Sequence, residues 1–393
     1  MNNVLESNGF MGRLQPSATL ALTSKAKSLK AQGKDVCSLS AGEPDFDTPE
    51  NIKKVAIDAI EKGLNKYTPA TGIPKLKEVI AEKFTKENGI QTSPANVVVA
   101  PGAKFSVFSV IAALCGPGDE VIIVSPYWVS YPSMIEATGA TVKVISTKAE
   151  NNFELSPEEL KSTINENTKL LILNSPSNPT GAVYRKETLE KIADIVVETG
   201  IMILADEIYE KLVYDSEKPH ISIASLSPEV AERTVTVNGL SKAYAMTGWR
   251  LGYLTAPEFV VKRISALQSH TTSNPTSFVQ YAAIEAIAGP QEEVEKMREQ
   301  FAKRRDLIYN LLSEISGMEC IKPSGAFYVF CDVSKFGISS DEFCQRLLDE
   351  KLVAAIPGEP FGIPQHIRLS YACSEAVIKK AASRIAEFCS ELT

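Results

Sequence analysis

The sequence predicts an α/β fold, in which a large unit holds a mostly parallel, mixed sheet between helices and a smaller α+β unit is formed by both chain ends. Two observations carry this expectation. From Thr48 to about Ala256, short apolar runs alternate with amphipathic helical patterns, and the runs are apolar almost without a break, as strands buried on both faces must be. A length of 393 residues is also two to three times a typical ~150-residue domain, which leaves room for a second unit.

The apolar runs lie at 97–100, 121–124, 170–173, 201–205 and 235–237. Pro49 after Thr48 and Pro74 after Ile73 suit first helical positions, where a missing N–H costs nothing. Residues 257–312 read as two long helical patterns separated by Ala288-Gly289-Pro290. Strand signals return at 326–331 and 366–371, with helices expected at 340–350 and 374–388. Residues 17–47 precede the α/β series and are assigned with 313–393 to the smaller unit. The large unit then covers 48–312 and an N-terminal arm covers 1–16.

Composition narrows the function. Forty-one basic against 48 acidic residues leave a net charge of −7, a field that repels a phosphate backbone and excludes nucleic acid as the principal ligand. Lys303-Arg304-Arg305, flanked by Asp306 and by Glu292, Glu293, Glu295 and Glu299, reads as a solvated helix face laced with ion pairs. Seven scattered cysteines without a Cys-x-x-Cys pair have the pattern of thiols in a reducing compartment. Residues 1–11 lack a secretory pattern, and the most apolar run, 195–209, is broken by Glu198, Asp206 and Glu207. A cytoplasmic protein without a membrane span is expected. The three histidines lie far apart in sequence and no metal-ligand spacing occurs, so no metal is assigned. Ser24-Lys25-Ala26-Lys27 has a hydrolase spelling without a partner motif and reads as surface, and no Gly-x-Gly-x-x-Gly marks a dinucleotide site.

Ligands of open α/β sheets gather at the carboxyl ends of the strands, and the residues expected there are unusually polar. They include Gly102-Ala103-Lys104, Tyr127-Trp128, the segment from Asn174 to Gly181 with Asn178, Asp206-Glu207-Ile208-Tyr209, and Ser241-Lys242, with Trp249-Arg250 close behind. A lysine can form a Schiff base with an aldehyde, an aspartate can keep a pyridine nitrogen protonated, an arginine can clamp a phosphate, and a helix N-terminus can offer it amides. Pyridoxal 5′-phosphate satisfies all four.

With Ser40-Ala41-Gly42-Glu43-Pro44-Asp45-Phe46-Asp47-Thr48-Pro49, Asn174 to Gly181, Asp206 to Glu210 and Ser241 to Gly252, the chain resembles the class I aminotransferases of fold-type I, nearest to the prokaryotic-type subgroup I-beta aspartate aminotransferases. The likeness runs from about Pro16 to Phe388. It implies that Lys242 bonds to the cofactor and carries the proton, and that Asp206 meets the pyridine nitrogen. Tyr209 and Asn178 meet the 3′-oxygen and Trp128 stacks on the ring. Arg250, Ser241 and the Gly102-Ala103-Lys104 backbone hold the phosphate, together with Tyr67 from a neighbouring subunit. For substrate, the resemblance implies Arg368 on the α-carboxylate, Gly42 close to the bound amino acid beside Trp128 and Asn178, and Lys104 on a distal carboxylate. The partners implied are small amino and keto acids and a second copy in a homodimer with shared sites; domain closure is expected by the same analogy.

Two positions depart from the family's pattern. Gly239 stands where many members place a phosphate-binding serine, and Gln15 stands where relatives that also accept prephenate often carry a lysine. Aspartate with 2-oxoglutarate is the substrate pair this reading favours. Prephenate, aromatic or alanine aminotransferases and a lyase on the same fold are the rivals within enzymes. A non-catalytic, cofactor-binding regulator is the rival outside them.

Overall fold

The computed structural model describes residue 12 and residues 18–392, with 216 and 218 excepted. Apart from Gly12, the arm assigned to 1–16 lies outside the described residues, and so does Gln15. In chain order the strands are β1 (Cys37–Ser38), β2 (Val97–Ala100), β3 (Glu120–Ser125), β4 (Thr141–Ser146), β5 (Thr168–Asn174), β6 (Met202–Asp206) and β7 (Thr234–Gly239). They continue with β8 (Gly252–Thr255), β9 (Glu319–Cys320), β10 (Tyr328–Asp332), β11 (Val353–Ala354), β12 (Ile356–Pro357) and β13 (His366–Ser370). The first four helices are α1 (Ala18–Ala31), α2 (Glu50–Glu61), α3 (Pro74–Asn88) and α4 (Ala103–Leu114).

Seven strands form the main sheet in the order β2-β8-β7-β6-β5-β3-β4. All neighbours run parallel except β8, which is antiparallel to both β2 and β7. The continuous apolar runs are explained by burial on both faces. Along β5, Leu170 and Ile172 pack into one cluster with α4 and helix Glu258–His270, while Leu171 and Leu173 pack into another with helix Lys186–Thr199. Each such side chain, fully removed from water, contributes about 1.5–3 kcal/mol. The expected runs did not include β4, whose residues are mostly exposed or half-buried, because an edge strand with one wet face has no continuous apolar signature. β8 was hidden by its brevity and its leading glycine.

Pro74 opens α3 as expected, whereas Pro49 is the cap before α2, one position earlier than predicted. The two long patterns of 257–312 are three helices, Glu258–His270, Ser277–Ala288 and Glu292–Ser313. Pro275 breaks the first pattern, since it cannot donate within a helix.

A four-stranded antiparallel sheet, β12-β13-β10-β9, and the parallel pair β1-β11 lie against the C-terminal helices. Their core is aromatic, with Phe301, Phe327, Tyr328, Phe343 and Phe388 buried in one cluster. The Ser370 amide donates to the Leu39 carbonyl at 2.7 Å, which ties the segment after β1 to β13.

Two composition readings need correction. The ion pairs expected on this helix are present and Lys303 is exposed, but Arg305 is buried and paired with Asp215 and Asp306, and Arg304 pairs with Asp45 over the ring of Phe46, so these two arginines pack inward rather than face solvent. The scattered cysteines include one bonded pair: Cys320 and Cys331 are register partners across β9 and β10 and form a disulfide. Spacing in sequence carries no trace of that register. Among the described residues no helix is long and apolar enough to cross a membrane.

Candidate active site

Strands β3, β5, β6 and β7 end on the same side, so the segments leaving them share one rim. Asn174 and Asp206 are register partners, and the Asn174 amide donates to the Asp206 carbonyl at 2.9 Å. A cavity of ≈ 470 Å³ opens above them, and residues 40–43, Tyr328 and Arg368 wall its other side. Gly42, Ala103, Lys104, Trp128, Asn178, Asp206, Tyr209, Ser241, Lys242, Arg250 and Arg368 all line it.

Asp206 is the last residue of β6 and 5% exposed. Burial pushes its carboxyl up to about 6, opposed by hydrogen bonds from the Tyr131 hydroxyl at 2.7 Å and from the Ile208 amide. Tyr131 begins the helix Tyr131–Ala137, three residues beyond Trp128, and its ring meets the Trp128 ring edge-on at 5.3 Å.

Lys242 leaves the end of β7 and donates to the Gly42 carbonyl, with its ammonium 5.8 Å from the Tyr209 ring and 5.7 Å from that of Phe327. Removal from water, followed by the nearby charge of Arg368, brings the amine down to about 8. The Tyr209 hydroxyl lies 2.9 Å from that of Tyr328.

Arg368, on β13, is 5% exposed. Its guanidinium donates to Asn178 Oδ1 at 3.1 Å and to the Ser40 carbonyl at 2.9 Å, and it lies 4.5 Å from the Tyr328 ring. Its Nε has no partner, and among the described residues no carboxylate pairs with it. Burial disfavours its charge and makes it a stronger acid than a solvated guanidinium. A buried cation without a counter-charge is costly unless an anionic ligand completes it.

Gly102 has φ +90° and caps α4; a Cβ there would lie 2.6 Å from Arg250 Nη2. The glycine thus lets a guanidinium approach the unpaired amides of a helix N-terminus, which together make an anion cradle. Arg250 itself sits in the left-handed region at φ 56° and donates to the Thr247 carbonyl at 2.8 Å. Gly239, the departure from the family's serine, is explained by crowding: a Cβ would stand 3.2 Å from both Gly252 Cα and the Leu251 carbonyl. Lys104, at the mouth, holds its ammonium 4.9 Å over the Trp128 ring, where partial removal from water and then the charge of Arg250 make it a stronger acid than a free lysine. Lys27, expected only as a surface residue, also lines the mouth.

Tyr67 is not brought to the cavity and is 91% exposed. Tyr131, Tyr328, Ser40 and Glu43 were not singled out as site residues from sequence. Tyr131 carries a local signal in its three-residue spacing from Trp128, and Ser40 and Glu43 lie in the stretch around Gly42 that carries the family resemblance. Tyr328 looks like any strand aromatic until β10 pairs with β13. The donor set fits a flat, phosphorylated pyridine aldehyde: an amine of lowered basicity, a deep carboxylate, an indole face, and a cradle that a Cβ at Gly102 would fill.

The family described as Aminotransferase class I and II matches residues 34–385, and the chain belongs to that family of pyridoxal 5′-phosphate-dependent transaminases. It is 48% identical over 380 residues to an aspartate aminotransferase of Geobacillus stearothermophilus, covering 95% of this chain and 96% of the relative. An aspartate/prephenate aminotransferase of Cereibacter sphaeroides is 44% identical over 394 residues, covering 98% of each. The solved aspartate aminotransferase of Thermus thermophilus with maleate superimposes with a TM-score of 0.93 at 43% identity, covering 96% of this chain and 98% of that one.

Proposed function

We propose that the protein is an aspartate aminotransferase, moving the amino group of L-aspartate to 2-oxoglutarate in two half-reactions at one site to give oxaloacetate and L-glutamate. The observation that carries this reading is the buried, carboxylate-free Arg368 facing the lowered amine of Lys242 across one cavity, with Lys104 at its mouth. The relatives named for aspartate, and the neighbour solved with maleate, a four-carbon dicarboxylate, support it.

When bound, pyridoxal 5′-phosphate supplies an aldehyde that takes up an amino group and a protonated ring that withdraws electrons from the bond being broken. Lys242 would hold the aldehyde carbon and, once displaced by the incoming amine, its Nζ would accept the proton from the substrate α-carbon and deliver it to the former aldehyde carbon of the cofactor. An amine near 8 is neutral often enough at physiological pH to act as that base. Asp206 would keep the ring nitrogen protonated, Tyr209 and Asn178 would bind the 3′-oxygen, and Trp128 would offer its face to the ring. Arg250, Ser241 and the Gly102-Ala103-Lys104 backbone would hold the phosphate.

Arg368 takes the α-carboxylate in its fork, Lys104 the distal carboxylate, and Gly42 lets the backbone approach the substrate. Closure of the 17–47 and 313–393 unit over the 48–312 unit would carry Arg368 inward and exclude water. Tyr67 reaches the phosphate of a second copy, so the working form is a homodimer, and its 91% exposure in the single chain supports that placement. The buried thiols of Cys37, Cys115 and Cys344 fit a cytoplasmic location, with the Cys320–Cys331 disulfide as the feature that speaks against it.

The test is an absorbance spectrum of the cofactor-loaded protein with L-aspartate, L-alanine, L-tyrosine or buffer, followed by 2-oxoglutarate or prephenate. Aspartate should move the visible band to the near ultraviolet, and 2-oxoglutarate should restore it. A response to tyrosine or alanine alone would overturn the dicarboxylate reading, and a better acceptor in prephenate would overturn the choice of 2-oxoglutarate.

A further inference from the structure

The turn that follows β6 has two faces with the same three-residue spacing. Asp206 and Tyr209 line the cavity, whereas Glu207 and Glu210, each one residue further on, enter a buried polar cage with side-chain exposures of 4% and 7%. Helix α3 supplies the other wall of that cage. Lys83 is ion-paired with Glu210 and donates to Asn88 Oδ1 at 2.7 Å. The Asn88 amide stands 2.6 Å from Glu210 Oε2, 2.9 Å from the Ser222 hydroxyl and 3.3 Å from Glu207 Oε2. Ser222 donates to Glu207 at 2.6 Å, and His220 Nε2 lies 3.0 Å from the same carboxylate.

Oxygen and nitrogen atoms of Glu207, Glu210 and His220 lie within 4.8 Å of one another, a spacing a metal ion would accept, but the Lys83 ammonium already supplies the cation. Two carboxylates face one ammonium and one imidazole, so the cage is neutral when His220 is protonated. Burial opposes that charge, and Glu207 outweighs it, raising His220 above its usual value. Burial likewise works against the Glu210 anion, and Lys83 with His220 outweighs it, holding the carboxyl down to about 2. The cage is therefore charged and buried, with His220 Nδ1 left without a hydrogen-bond partner, and removing one charged partner strands a buried charge on the turn itself.

We infer that this cage is a positioning device for the cofactor-facing pair, with Lys83 holding Glu210, and thereby Tyr209 and Asp206, against the ring. The inference rests on the proposed roles of Asp206 and Tyr209. The hydrogen bond from the Glu210 amide to the Glu207 carbonyl at 2.9 Å makes the turn one unit, so a carboxylate that swings toward water rotates the phenol and the aspartate with it. Lys83, Asn88, His220 and Ser222 touch neither cavity nor ligand, and they act through the turn.

The test uses the full-length protein and three readings: the dissociation constant for pyridoxal 5′-phosphate, the pH midpoint of the absorbance change of the bound cofactor, and the melting temperature of the cofactor-free form. Lys83→Met should weaken cofactor binding about tenfold or more and move the midpoint, since a misplaced Tyr209 and Asp206 no longer set the cofactor's acidity. The double variant Lys83→Met/Glu210→Gln, which strands no charge, should recover much of both. If Lys83→Met lowers only the melting temperature and leaves affinity and midpoint at wild-type values, the cage is scaffold and the proposal is overturned. Should that variant fail to fold, Ser222→Ala decides, because it removes one hydroxyl without stranding an ion: a weaker affinity and shifted midpoint support the cage, and wild-type values overturn it. Tyr209→Phe serves as the control on the premise. A midpoint unmoved by Tyr209→Phe means that the reading of the turn has failed, and the inference falls with it for that separate reason.

Discussion

The Tyr131 hydroxyl donates a 2.7 Å hydrogen bond to Oδ2 of Asp206, which leaves Oδ1 with only a long contact of 3.4 Å from the Ile208 amide. One oxygen is thus held by the protein while the other keeps a lone pair for a ligand. The bond also opposes the effect of burial on the carboxyl, so Tyr131 favours the anionic form of Asp206.

Tyr131→Phe removes that donor and little volume. The Asp206 carboxyl should rise further above about 6, and the acid limb of kcat/KM should move to higher pH by about half a unit to one unit. The ¹⁵N shift of the cofactor's ring nitrogen gives a direct reading. A limb and a nitrogen signal that both stay in place would show that the phenol does not tune Asp206.

Lys242 is brought down to about 8 by burial and by Arg368, so its neutral fraction grows as pH rises through that value. Uptake of pyridoxal 5′-phosphate by the cofactor-free protein should accelerate up to about pH 8 and then level off. Lys242→Ala should abolish turnover while leaving cofactor bound without a covalent link, seen as loss of cofactor on denaturing filtration. Undiminished turnover would remove Lys242 from its role.

The two substrate cations should separate by kinetics. Arg368→Lys replaces a fork with a point charge and should cut kcat/KM for every amino donor by about 10²-fold. Lys104→Ala should reduce aspartate by about tenfold or more and alanine hardly at all, since only aspartate has a second carboxylate. Equal losses for both donors would move Lys104 from substrate recognition to cofactor binding.

Gly102→Ala places a methyl group 2.6 Å from Arg250 at a φ of +90°. Strain of about 1–3 kcal/mol is expected, with the cofactor-free protein losing several degrees in melting temperature. Affinity for pyridoxal 5′-phosphate should fall more than affinity for phosphate-free pyridoxal, which checks that the cradle serves the phosphate.

Much of the architecture is legible locally because burial on both faces leaves continuous apolar runs, and the strands around 97, 121, 170, 202 and 235 announce themselves that way. Polar residues at the ends of those runs point to the rim of the sheet, which makes Asn178, Asp206, Ser241 and Lys242 legible as neighbours from their places after the strands. Edge strand β4 and the break before Ser277 were less legible, since half-wet strands and short loops leave weak periodicity.

By itself the sequence determined which chemical groups were present and where each stood relative to its own strand or helix, because backbone periodicity and turn chemistry act over a few residues. Only the tertiary structure decided which distant groups share an environment. It put Tyr131 on Asp206, brought Arg368 to the cavity without a counter-charge, joined Cys320 to Cys331, and paired Lys83 with Glu210 across 127 positions. The physical reason is that burial, charge pairing and register depend on long-range packing. An isolated residue's name records what it can do, and the folded neighbourhood sets its acidity and its partners.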